Sequence, residues 1–222
     1  MRFTLITEGV SENRIIKQII SKYFKDEEIF FRDAQPQIVN DKQETVGGWN
    51  EVLKYCERTA DLKEIFINSD FLVIQIDTDM CETAPFNVRH LDADNKLKTL
   101  ESLYEDVVEK LKSLISEEIL NVNDNNIIFA ICVHSIECWL MPLQFLNHHI
   151  TDTRNCLPTL NKELRRKNLK PIAISAKNSP KSIIAYDAIL RAWRKRDDII
   201  ESSKSNIGFQ KFIDSLQECV KE

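Results

Sequence analysis

The stretch Phe71–Asp79, FLVIQIDTD, decides the fold. From Phe71 to Ile76 every residue but Gln75 is apolar, the composition of a strand covered on both faces of a sheet. The run stops at Asp77-Thr78-Asp79, so two carboxylates stand one residue apart where the strand ends. Open α/β sheets bind their ligands outside the carboxyl ends of such strands. Two carboxylates held there repel each other unless a cation or a shared proton relieves them, and Mg²⁺ or Mn²⁺ suits clustered oxygen donors. Asp is also a common turn residue at strand ends, so D-x-D alone specifies little.

Outward from this strand, secondary-structure signals alternate. Phe3–Thr7 reads as a first strand closed by the turn Glu8-Gly9, and Ser11 is placed to cap a helix running to about Lys25. Ile15, Ile16, Ile19, Ile20, Tyr23 and Phe24 recur at helical spacing and predict the face that packs on the sheet. Ile29–Arg32 predicts a second strand, a loop with Pro36, Gly47 and Gly48 follows, and Trp49–Thr59 reads as helix. Cys81–Asp94 is a polar connection long enough to form a flap, and Asn95–Leu120 carries helical periodicity. Ile127–Val133, IIFAICV, is a second fully apolar strand, followed at once by a helix opening at His134-Ser135-Ile136-Glu137. This order predicts an α/β, Rossmann-like, mainly parallel sheet flanked by helices over residues 1–150. Beyond His149 the strand signal fades, and helices near Leu157–Lys167, Pro180–Ile200 and Phe209–Lys221 predict a helical, basic C-terminal extension over 151–222, packed on the core.

Composition narrows the class. The chain is 43% hydrophobic and 29% charged, with no apolar run of the roughly 20 residues a membrane span needs and no signal-peptide pattern at Met1. A cytoplasmic protein without membrane contact is the expectation. Six cysteines without a C-x-x-C pair predict reduced, mostly buried thiols rather than zinc or a disulfide framework. Between Arg154 and Arg196, twelve Lys or Arg face only Glu163 and Asp187, a balance of +10 that leaves −15 for the rest of a chain of net −5. Such a segment is either a set of solvated helix faces or a surface that meets a polyanion near an acidic site.

Glu8, Asp77, Asp79 and Glu137 all follow strands, and a parallel sheet gathers those ends on one edge. Each has an ordinary reading of its own: a turn residue before Gly9, strand-end aspartates, a first-turn glutamate favoured by the helix dipole. Taken together they predict a shared divalent-metal site.

The residues then resemble a family. LITEGVSENRIIKQII is similar to the opening of a Toprim domain, VIQIDTDM to its D-x-D strand, and AICVHSIECWLM to the S-x-E-x-W-L stretch of small stand-alone Toprim-related proteins akin to the overcoming-lysogenization-defect nucleases. The resemblance covers roughly residues 1–146. It implies Glu8 as the acid–base or metal-positioning glutamate, with Asp77, Asp79 and Glu137 as ligands of Mg²⁺ or Mn²⁺. It further implies a nuclease that hydrolyses phosphodiester bonds of DNA or RNA, in a setting such as phage defence. The long 81–94 connection and the basic tail are departures from a minimal Toprim domain. Lys177 and Lys181, flanking Asn178-Ser179-Pro180 before a helix, are candidates to offset transition-state charge, or simply solvated lysines. His134 could share the face of Glu137, and Trp193 could stack on a base or lie in an amphipathic core. Two other functions remain open. A nucleotide-sugar glycosyltransferase would use Asp77 and Asp79 on the diphosphate metal, and a non-catalytic module would bind a protein partner in a larger assembly.

Overall fold

The two apolar runs lie side by side. β5 (Phe71–Asp77) and β6 (Ile127–Cys132) pair in parallel, from Leu72 opposite Ile127 to Asp77 opposite Cys132. β1 (Arg2–Ile6) pairs in parallel with β5 and, on its other side, with β2 (Phe30–Gln35), so the sheet is all parallel with order β2-β1-β5-β6. β3 (Ile38–Val39) and β4 (Lys42–Gln43) form a separate antiparallel pair. The computed structural model describes residues 1–39, 42–145, 149–173 and 180–219, and only the backbone at 42, 180 and 181.

Alternate residues of a strand face opposite sides of a sheet, and that alternation sorts the core into two layers. Phe3, Leu5, Val73, Ile128 and Ala130 pack on α1 (Val10–Tyr23), α6 (Cys156–Arg166), α7 (Pro180–Leu190), α8 (Arg196–Ser203) and α9 (Ile207–Glu218). Ile6, Leu72, Ile74, Phe129 and Ile131 pack on α2 (Trp49–Cys56), α3 (Thr59–Asn68), α4 (Leu100–Leu114) and α5 (Glu117–Asn123). The chain leaves β1 toward β2 with α1 on the first face, then returns past β1 to β5 and β6 with its helices on the second. Right-handed crossovers in opposite directions require helices on opposite faces. The reversal falls between β1 and β5, which is the topological switch point of a doubly wound sheet.

The C-terminal helices complete the first layer. Trp139 is fully buried and stacks on Phe209 at 4.7 Å and Phe212 at 5.6 Å. Gly208, in the first turn of α9, lies so close to β6 that a Cβ there would collide with the Ile131 carbonyl oxygen. Trp193 is buried and donates its indole N–H to Ser202 Oγ at 3.0 Å, so it serves the core. Several cations of the basic segment are used inside the molecule. Arg166 pairs with Glu163 at 2.7 Å, Lys167 with the same carboxylate at 3.4 Å, and the Arg196 guanidinium lies 4.1 Å from the Tyr23 ring.

Four local expectations change. The helix expected over 49–59 ends at Cys56, and a further helix, α3, precedes β5. The periodicity over 95–120 belongs to two helices, because Ser116 adopts an extended, N-cap backbone and the acids Glu117 and Glu118 start a new first turn. The helix expected over 180–200 breaks after Leu190, where Asp198 accepts the Arg194 and Lys195 N–H groups and opens α8. After β6 the chain forms a 3-10 helix, Ile136–Leu143, rather than an α-helix. Cysteine chemistry is corrected too: Cys138 and Cys156 form a disulfide tying this 3-10 helix to α6, their Cα atoms 5.1 Å apart. Cys56, Cys81, Cys132 and Cys219 take no part in a disulfide. Among the described residues no helix is long and apolar enough to cross a membrane.

Candidate functional site

The switch point is closed by hydrogen bonds between β1 and β5. Asp77 N–H donates to Glu8 Oε1 at 2.6 Å, and Glu8 N–H donates to Gln75 Oε1 at 3.1 Å. Gln75, the one polar residue of the apolar run, also donates from Nε2 to Asp77 Oδ1 at 2.9 Å. The Ile136 N–H donates to the same oxygen at 3.2 Å, so the segment after β6 joins the group. Gly48 N–H donates to the Glu8 carbonyl at 2.6 Å, and a Cβ at Gly47 would collide with that carbonyl. A glycine is needed there so the loop before α2 can lie against Glu8.

Three carboxylates of this region are almost wholly buried: Asp77 at 2%, Glu12 at 1% and Glu137 at 1% exposure. Ser11 Oγ donates to Glu12 Oε2 at 3.3 Å, and the buried Tyr186 hydroxyl donates to Glu137 Oε1 at 2.5 Å. Two neighbours feel the combined charge. Burial, then the charges of Glu137, Glu12 and Asp77, push the Tyr186 phenol well above its usual range. Burial, then Asp77, Glu8 and Glu12, do the same to the Cys132 thiol. Glu8, Glu12, Asp77 and Glu137 therefore make one negative region beneath the first helical layer.

Asp79 leaves that region. β5 ends at Asp77, and buried Thr78 is pinned between Cys132 and His134: its N–H donates to the Cys132 carbonyl at 3.0 Å and its Oγ1 accepts from His134 N–H at 2.8 Å. Asp79 N–H donates to the His134 carbonyl at 3.0 Å, and the exposed Asp79 side chain faces an open depression of about 610 Å³. Glu82, His90, His134 and Arg154 line it as well. His134, at a left-handed φ of 62°, stacks on His90 with ring centroids 5.4 Å apart and accepts Arg154 Nε–H on Nε2 at 3.1 Å. Burial, then the Arg154 and His90 charges, lower the His134 pKa to about 4. His134 thus belongs to the depression, whereas Glu137 lies under Tyr186.

Lys177 lies outside the described residues, and of Lys181 only its place in α7 is described. Glu12, Gln75, Tyr186, His90 and Arg154 were not singled out in the sequence. Glu12 could have been found as the acid in the first turn of the helix that follows Glu8-Gly9. Gln75 was visible as the interruption of β5, but nothing in the sequence links Tyr186 to Glu137.

Hard oxygen donors gathered in a negative, buried region fit a divalent cation by their chemistry. Among the described residues no group of three or more His, Cys, Asp or Glu stands arranged to hold a metal ion. Fold and site define an open, doubly wound α/β protein with an acidic centre at its switch point. Compared with protein families, curated proteins and solved structures, the chain matches none.

Proposed function

We propose that the acidic centre is a Toprim-like site for Mg²⁺ or Mn²⁺ and that the protein hydrolyses phosphodiester bonds of nucleic acid. The observation carrying this reading is the burial of Asp77, Glu12 and Glu137 in one region at the carboxyl edge of a parallel sheet. Buried carboxylates are costly unless protons, hydrogen bonds or a cation compensate them. Glu8, Asp77 and Glu137, with Glu12 beside them, would hold the cation, and Asp79 at the rim would join them. When bound, the cation supplies charge stabilisation at the scissile phosphate and a water of lowered pKa.

The remaining roles fall to the chain. Gln75 Nε2 and Ile136 N–H aim the Asp77 carboxylate, and Tyr186 O–H fixes that of Glu137. Glu8, held by Asp77 N–H at the open end of the switch point, would take the proton of the attacking water on its carboxylate. Lys177 and Lys181 remain the proposed cations that offset transition-state charge. A nucleotide-sugar transferase is less well supported. It gives no role to Glu8, whose carboxylate accepts the Asp77 N–H, or to the buried Glu12 and Glu137.

A thermal-shift titration tests the reading. Millimolar Mn²⁺ should raise the Tm of the wild type but not of Asp77→Asn or Glu8→Gln, and both variants should lose hydrolysis of oligonucleotides. Removing one crowded carboxylate should leave their metal-free Tm equal or higher. A large loss of metal-free stability in both, with no cation response in the wild type, would make these acids structural.

A further inference from the structure

The depression beside Asp79 has features that the hydrolytic centre alone does not explain. His90 and His134 present two imidazoles inclined by 26°, and Leu91 and a strongly exposed Leu97 (68%) add apolar surface. Flat rings flanked by aliphatic groups are the surface on which unpaired bases stack. Arg154, at the head of the basic segment, reaches into the same place. It spends Nε–H on His134 Nε2, and no acceptor among the described residues takes its two terminal amino groups. That fork suits a phosphate diester.

The acids of the depression sharpen the choice of ligand. Glu82 accepts the His90 backbone N–H on Oε1 at 3.0 Å and so braces the histidine, and Asp79 lines the same depression. A small, multiply charged anion would be repelled by Asp79 and Glu82. A nucleotide within a strand carries only one negative charge and can turn its neutral base toward the histidines and its phosphate toward Arg154. A volume near 610 Å³ accommodates a ligand of that size. Double-stranded nucleic acid keeps its base faces stacked on each other and cannot use the imidazole face.

We propose that the depression bounded by His90, His134, Leu97 and Arg154 is a subsite for one unpaired nucleotide of single-stranded nucleic acid, its base on the imidazoles and its phosphate on the Arg154 guanidinium. The proposal rests on the hydrolytic reading for its direction. A strand seated here passes Asp79, and the Asp79–His134 and Thr78–His134 hydrogen bonds tie the depression to the end of β5, where Thr78 and Asp77 lie buried. The substrate class is then a single strand or an unpaired end.

Fluorescence anisotropy with labelled oligothymidylate, oligouridylate and a duplex of matched length, in chelator, tests this without catalysis. The wild type should bind at least one single strand about tenfold tighter than the duplex, and Arg154→Gln and His90→Ala should each weaken that binding about tenfold with unchanged Tm. Preference between the two homopolymers distinguishes DNA from RNA. Asp77→Asn should fail to cleave the strand with Mn²⁺, a loss that reads the hydrolytic centre and not the subsite. Equal binding of duplex and single strand, absence of strand binding by the wild type, or both variants within about twofold of wild type would overturn the subsite, whatever the hydrolysis result. Strand binding lost in Arg154→Gln, with no hydrolysis by the wild type in any divalent cation, would keep the subsite and overturn the hydrolytic reading instead.

Discussion

Tyr186→Phe removes one oxygen atom from the middle of the first helical layer, and the structure sets what that should cost. The hydroxyl is fully buried and donates to Glu137 Oε1 at 2.5 Å. Burial and the charges of Glu137, Glu12 and Asp77 push the phenol's pKa up, so it is a donor at neutral pH. A hydrogen bond to a charged group contributes about 1.5–3 kcal/mol net, with the burial of the hydroxyl already counted. Phenylalanine fills the same space, so no cavity term of comparable size is added. For a chain of this length each kcal/mol moves Tm by roughly 2–4 °C, and the variant should melt about 3–12 °C lower. Stability alone does not identify the partner, and a double-mutant cycle with Glu137→Gln does. Groups that touch show coupling of about 0.5–3 kcal/mol, and independent sites add within about 0.5 kcal/mol. Urea unfolding of the wild type, both single variants and the double variant at neutral pH gives all four terms. Additivity would refute the Tyr186–Glu137 bond, and with it the claim that α7 positions Glu137.

Two further outcomes follow from the covalent and ionic structure. The Cys138–Cys156 bond closes a loop of 18 residues, for which chain entropy predicts about 3 kcal/mol; dithiothreitol should therefore lower Tm by roughly 6–12 °C. Thiol titration of the denatured chain should count four groups before reduction and six after, and six at the outset from an oxidising preparation would show that the bond does not form. His134 has a folded pKa of about 4 against 6.5 when free, so the unfolded chain takes up its proton first as pH falls. The stability this neutral histidine contributes is present above pH 6.5 and drains away down to about pH 4. Unfolding free energy of His134→Gln across that window should fall less steeply than that of the wild type, and parallel curves would count against the lowered pKa.

The centre of the sheet was legible because β5 and β6 are near-continuous apolar runs, as a doubly covered parallel strand requires. FLVIQID and IIFAIC became neighbours in register, and the acids that follow them fell on one edge. Helix ends were less legible. The break at Lys195–Asp198 comes from capping hydrogen bonds and that at Ser116 from its extended backbone, and both interrupt apolar periodicities continuing on both sides. The disulfide was misread for a related reason, since its cysteines meet only after the 3-10 helix and α6 pack together. Site residues divide in the same way. Glu8, Asp77 and Glu137 sit at strand ends that a one-dimensional pattern marks, whereas Tyr186 and Arg154 reach their partners through packing of the C-terminal helices and leave no local signature.

D-x-D itself shows why spacing alone underdetermines chemistry. On a continuing strand, residues two apart share a face, and both aspartates would enter one site. Here β5 stops at the first of them, and Thr78 decides where the second goes. Its buried N–H and hydroxyl bind the Cys132 carbonyl and the His134 N–H, extending the β5–β6 pairing two residues past the strands and turning Asp79 outward. Thr78 is the covalent and hydrogen-bonded hinge between a buried acidic centre and an open, histidine-lined depression. A cation that pulls Asp77 and Asp79 toward each other would have to act against the Asp79–His134 bond. On the proposed reading, strand binding on His134 and cation binding on the aspartates would be coupled through a single segment, and each should alter the affinity of the other.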